Sequence, residues 1–123
     1  MGDVSTHFSR KEFACKCGCG FDVVDAELLA ALEGARQYFD NFVRILSGCR
    51  CLSRNLEVGG SLKSQHMLGK AADVAISGVS PLEVAEYFEK LYKGRYGIGR
   101  YATFTHIDVR SSPARWDRVA HDA

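Results

Sequence analysis

The run Ala71-Ala72-Asp73-Val74-Ala75-Ile76 reads as an apolar strand interrupted by a carboxylate. A carboxylate removed from water is costly unless it is paired or bound to a metal, so the fold must bring a partner to Asp73. Partners are available in the same chain. Ser64-Gln65-His66-Met67-Leu68-Gly69-Lys70 sets an imidazole seven residues before Asp73, across a loop-to-strand transition where Gly69 allows a turn. Thr105-His106-Ile107-Asp108 reads as a second strand, with residues 106 and 108 on one sheet face and Ile107 on the other. Two histidines and an aspartate supply three nitrogen and oxygen ligands and leave a fourth position for water. That is the layout of a catalytic zinc rather than a closed structural one. His7 and His121 lie near polar termini and read as surface residues.

The surrounding pattern predicts a single α+β domain over residues 1–123, since 123 residues suffice for one core but not two. Ser9-Arg10-Lys11-Glu12 is a capping box opening a short helix that carries Phe13. Asp25 caps a helix to about residue 39, with Leu28, Leu32, Ala35 and Phe39 on its buried face. Residues 42–46 suit a strand, and 52–70 lack periodicity and read as a long loop. Ser80-Pro81-Leu82-Glu83 starts a second long helix with Val84, Phe88 and Leu91 as its core stripe. Short strands follow near 96–100 and 103–109, and then a polar tail with Trp116. Helices first, then strands mixed with one later helix, give α+β rather than a regular βαβ succession. No apolar run approaches the roughly 20 residues of a membrane span, so membrane insertion is not expected. A net charge of +1 gives no bulk electrostatic reason to bind nucleic acid.

Five cysteines fall into two clusters, Cys15-x-Cys17-x-Cys19 and Cys49-x-Cys51. Three readings stand open: a second, structural zinc, disulfides between the clusters, or inert packing residues. The polar start, MGDVSTHFSRKEF, has no apolar segment, so the chain is expected to be made in the cytosol without a signal peptide.

Ser64-x-His66-x-x-Gly69-x-Ala71-x-Asp73, followed by a strand carrying His106, resembles the signature of the zinc D-alanyl-D-alanine peptidases. These carboxypeptidases and endopeptidases of peptidoglycan share a fold with the hedgehog signalling domain. Ser47-Gly48-Cys49-Arg50 is similar to their Ser-Gly-x-Arg turn, and Asn55 with Gly59-Gly60 to their Asn and Gly-Gly loop. Phe8-x-x-x-Glu12-Phe13, Gly97-Ile98-Gly99-Arg100-Tyr101, Phe104-x-His106-x-Asp108-x-Arg110 and Trp116 resemble the small subgroup often found in phages.

The resemblance implies a small antiparallel sheet packed with helices, and one catalytic Zn2+ held by His66, Asp73 and His106. It implies that Arg50 binds a substrate carboxylate or carbonyl and that Ser64 hydrogen-bonds substrate backbone. Several relatives carry an acid three residues before the second histidine, where this chain has Thr103. Asp108 is the nearest replacement as proton acceptor; orienting a ligand, or pairing with Arg110 or Arg100, are its other possible roles. The implied substrate is a peptidoglycan stem peptide or cross-link, hydrolysed next to a D-amino acid by a monomer. A module that keeps the zinc but only binds wall peptide or a protein partner is the alternative. A wall enzyme without a signal peptide needs delivery, as in phage lysis through a holin or from the virion.

Overall fold

The computed structural model describes residues 2–61 and 64–119, so His121 lies outside the described residues. The sequence pattern sets the two long helices. The Asp25 side chain accepts from the Glu27 N–H and opens α1 (Ala26–Phe39), which buries Leu28, Leu32 and Ala35. Ser80 caps α3 (Pro81–Leu91) in the same way through the Glu83 N–H, with proline in the first turn. Val84, Ala85 and Phe88 are buried, but Leu91 is 54% exposed. The stripe continues instead four residues after Phe88 at Tyr92, which packs against the core with its ring stacked on Phe88.

Between these helices, the stretch expected to be a loop contains α2 (Leu52–Glu57) and a 3-10 helix, Gln65–Leu68. The periodic signal was absent for a physical reason. α2 buries Asn55 completely and leaves Leu52 and Leu56 more than half exposed, so it has no apolar stripe.

Five strands form one sheet: β1 (Val43–Ser47), β2 (Ala71–Ile76), β3 (Gly97–Arg100), β4 (Thr105–Asp108) and β5 (Ala114–Asp117). Their order is β1-β2-β4-β3-β5. The fold is α+β as expected, and four strands are antiparallel as expected. The sheet as a whole is mixed, because β5 pairs parallel to β3. β5 occupies what the sequence suggested was only a polar tail. It is a one-sided strand of four residues whose alternate positions are exposed.

One sheet face carries Ile45, Ala72, Val74, Ile98 and Ile107 into the core shared with α1 and α3. The other face carries the polar residues in a row. Ser47 pairs with Asp73, Asp73 with His106, His106 with Gly99, and Gly99 with Trp116. Ser47 joins that row through a register shift between Ile45, opposite Val74, and Ser47, opposite Asp73. Such an irregularity moves a side chain from one face to the other. Among the described residues, no helix is long and apolar enough to cross a membrane.

Candidate metal centre

Asp73 on β2 and His106 on β4 are direct cross-strand partners, with Nδ1 of His106 2.9 Å from Oδ1 of Asp73. His66 reaches the same point from the 3-10 helix preceding β2. The Ser64 side chain accepts the His66 N–H at its start, and Gly69 closes it at φ 69°. A Cβ on Gly69 would lie 2.6 Å from the Val23 carbonyl oxygen, so both conformation and space require glycine there. Nε2 of His66 comes within 3.4 Å of Asp73 Oδ1, and the two imidazole rings lie 5.2 Å apart. One ligand atom from each of His66, Asp73 and His106 falls within 4.8 Å of the others.

Hydrogen bonds behind the three residues determine where their protons sit. Nδ1 of His66 lies 2.6 Å from the Gly48 carbonyl, which can only accept, so Nδ1 carries the hydrogen and Nε2 presents its lone pair. That Nε2 is buried and has no hydrogen-bond partner among the described residues. His106 sits between two carboxylates, with Nε2 2.7 Å from Asp108 Oδ2 and Nδ1 2.9 Å from Asp73 Oδ1. Burial opposes charge on this ring, but the two carboxylates outweigh it and raise the pKa of His106. Burial likewise opposes charge on Asp73, yet the two histidines hold it well below the usual carboxylate range. One nitrogen or oxygen atom from each of three side chains thus converges at a point where a metal ion could be held.

Asp108 lies behind this centre. It is fully buried, and both oxygens are engaged: Oδ1 accepts from the Arg110 backbone and Nε, and Oδ2 from Arg110 Nη2 and His106 Nε2. Its pKa is held low despite burial, chiefly by Arg110. Glycine opposite makes this packing possible. A Cβ on Gly97 of β3 would strike the Asp108 carboxylate and approach Arg110 Nε to 2.6 Å. A Cβ on Gly99 would likewise strike the Trp116 indole.

In front of the centre lies a groove of about 500 Å3, lined by Arg50, Ser64, Tyr101, Arg110, Trp116 and Arg118 among others. Asp73 is the one carboxylate in its lining among the described residues. Arg50 is aimed by a hydrogen bond from Nη1 to Asn55 Oδ1, 3.1 Å, and by Asp73 Oδ2 at 3.7 Å from Nη2. Its backbone N–H donates to the His66 carbonyl, which ties the backbones of the arginine and the metal-facing histidine together. Trp116 packs against the His106 ring at 5.0 Å and donates its Nε1–H to the Tyr101 hydroxyl.

A family model described as Peptidase M15 matches residues 6–108 of the chain. The chain belongs to the Peptidase M15 family. This is the zinc D-Ala-D-Ala carboxypeptidase-like family of metallopeptidases, for which zinc is the expected metal. A search of curated proteins returned no match. The matched span of this M15 peptidase includes His66, Asp73 and His106 and ends at Asp108, so β5 lies beyond it.

Within this M15 peptidase the sequence expectations fare unevenly. His66, Asp73 and His106 converge, and Arg50 and Ser64 line the groove beside them. The Ser64 hydroxyl already accepts a backbone N–H as a helix cap. Asp108, the residue expected as proton acceptor, is adjacent to the centre, fully buried and outside the groove lining. Its carboxylate contacts His106 Nε2 and pairs with Arg110. Arg100 instead pairs with Glu89. Thr103 is exposed and outside the groove lining. His7, read as a surface residue, pairs with Glu33. Arg118 was missed altogether. It enters the groove just after β5, a strand that the sequence pattern did not announce.

Proposed function

We propose that this M15 peptidase hydrolyses a bond next to a D-amino acid in peptidoglycan stem peptides or cross-links, with His66, Asp73 and His106 holding the zinc. The observation that carries this reading is the buried, unpartnered Nε2 of His66, aimed at an aspartate that His106 also faces. A buried polar atom left without a partner is costly, and a metal ligand is the role that resolves it. Zinc bound there would polarise the scissile carbonyl and lower the pKa of water toward neutrality.

The chain's own residues divide the remaining work. Asp108 accepts the hydrogen of His106 Nε2, so Nδ1, which lies against Asp73, is the nitrogen that would face the metal. Arg50, planar and held by Asn55, presents a fork suited to a substrate carboxylate or to the oxygen of the reacting carbonyl. Arg110 and Arg118 extend the positive lining, which fits the free carboxylate of a stem peptide. Tyr101 and Trp116 form an aromatic part of the groove wall. The motifs resembling the phage subgroup support a role in lysis or wall remodelling.

One observation favours a second reading, a module that binds wall peptide without cutting it: among the described residues, the groove lining offers no carboxylate besides Asp73 to take a proton. Digestion of defined muropeptides, with product identification by mass spectrometry, separates the two. Free D-alanine or a cleaved cross-link, lost on chelation and restored by zinc, is the expected result. No released amine under any metal condition would leave only the binding module.

A further inference from the structure

Four of the five cysteines meet at one point, one of them Cys51, the residue after Arg50. We infer that Cys15, Cys17, Cys19 and Cys51 form a second metal site, a closed tetrathiolate that takes zinc and serves structure rather than catalysis. Their four Sγ atoms lie within 4.8 Å of one another. Three of the separations are nearly equal: 3.5 Å from Cys15 to Cys17, 3.7 Å from Cys15 to Cys51 and 3.6 Å from Cys17 to Cys51. Thiolates about 2.3 Å from a tetrahedral zinc sit about 3.8 Å apart, so the observed spacing is that of a tetrahedron's edge. Disulfides would join the sulfurs in pairs, whereas here each of three sulfurs is equidistant from the other two.

The backbone supports convergence. Gly18 and Gly20 at φ 81° and 91° coil the CKCGCG segment so that alternate residues turn inward. The Cys51 N–H donates to Cys15 Sγ, an N–H to sulfur bond of the kind that steadies a thiolate ligand. Four protein ligands leave no open position, which distinguishes this centre from the three-ligand one in the groove.

The fifth cysteine is excluded by its own bonds. Cys49 is buried and donates its thiol to the carbonyls of Phe13 and Phe21, at 3.1 and 3.0 Å. The sequence expectation that grouped all five cysteines is therefore corrected to four. The odd count resolves into a ligand set plus one packed thiol. Arg50 is then clamped from both sides, by Cys49 bonded to the N-terminal segment and by Cys51 in the cluster.

The test is zinc content of the whole chain in a His66→Ala background, which disables the groove site. One zinc per chain is expected to remain, and adding Cys17→Ser is expected to remove it; Cys17 is exposed, so its replacement spares the core. Cobalt loaded into the unmutated protein should give the strong near-ultraviolet charge-transfer absorption of several thiolates. That reading needs no variant to fold and is independent of peptidase activity. A zinc-free His66→Ala protein in which Cys15, Cys17, Cys19 and Cys51 react freely with a thiol reagent would overturn the site. So would an unreduced mass showing a disulfide among the four.

Discussion

Replacing His66 with alanine is expected to lower kcat/KM on muropeptides by at least about a thousandfold, or about 4 kcal/mol of transition-state stabilisation. The reason is specific to its surroundings. The Gly48 carbonyl fixes the hydrogen on Nδ1, so Nε2 is the lone electron-pair donor that His66 can offer beside Asp73. Added zinc should not rescue the variant, because two remaining ligands cannot reproduce the three-ligand layout. Circular dichroism and thermal melting must show a folded protein, since His66 is buried and its loss leaves a gap. A folded variant with wild-type turnover would remove His66 from the reaction and the proposed function with it.

Asp108→Asn is expected to act on two quantities at once. The first is stability. Asp108 is fully buried and its partner Arg110 is a third exposed, so removing the carboxylate charge leaves a guanidinium that water can only partly solvate. Breaking a buried pair in this way costs about 3–5 kcal/mol, with the lower end expected here because of Arg110's exposure. The second is metal affinity. Asp108 holds the hydrogen on His106 Nε2, and losing such an outer partner weakens metal binding or activity by about 10–100-fold. An asparagine whose amide NH2 faces Nε2 would favour the wrong tautomer, leaving Nδ1 protonated against Asp73. Zinc affinity measured by competition with a chelator separates this from a proton-accepting role. A variant that binds zinc as tightly as the parent, yet loses about 10²–10⁴-fold in kcat, would assign Asp108 to proton transfer after all.

The residues that were readable in the sequence are those whose meaning is local. Asp73 was conspicuous because one carboxylate interrupts five apolar residues, and β2 was found with its full extent. α1 and α3 announce themselves by caps and apolar spacing, although the stripe of α3 turns to Tyr92 where the spacing suggested Leu91. What escaped depends on neighbours distant in the chain. Spacing placed His106 and Asp108 on one face, but only the glycine at 97, on another strand, leaves room for Arg110 to occupy both Asp108 oxygens. Cys49 and Cys51 look equivalent in sequence, yet one bonds to backbone carbonyls and the other joins three thiols. β5 was invisible because four one-sided residues carry almost no periodic signal, and its parallel partner β3 is separated from it in the chain by β4.

The parallel edge strand also gives the molecule a built-in optical probe. The chain contains one tryptophan, and β5 lays its indole against the His106 ring, beneath the Arg110 guanidinium. Intrinsic indole emission therefore reports from a single place, the wall of the groove. An open-shell ion such as copper or cobalt entering there should quench it, while closed-shell zinc should change it only through local polarity. Occupancy of the groove can then be followed in the unlabelled protein, apart from whatever the thiols bind.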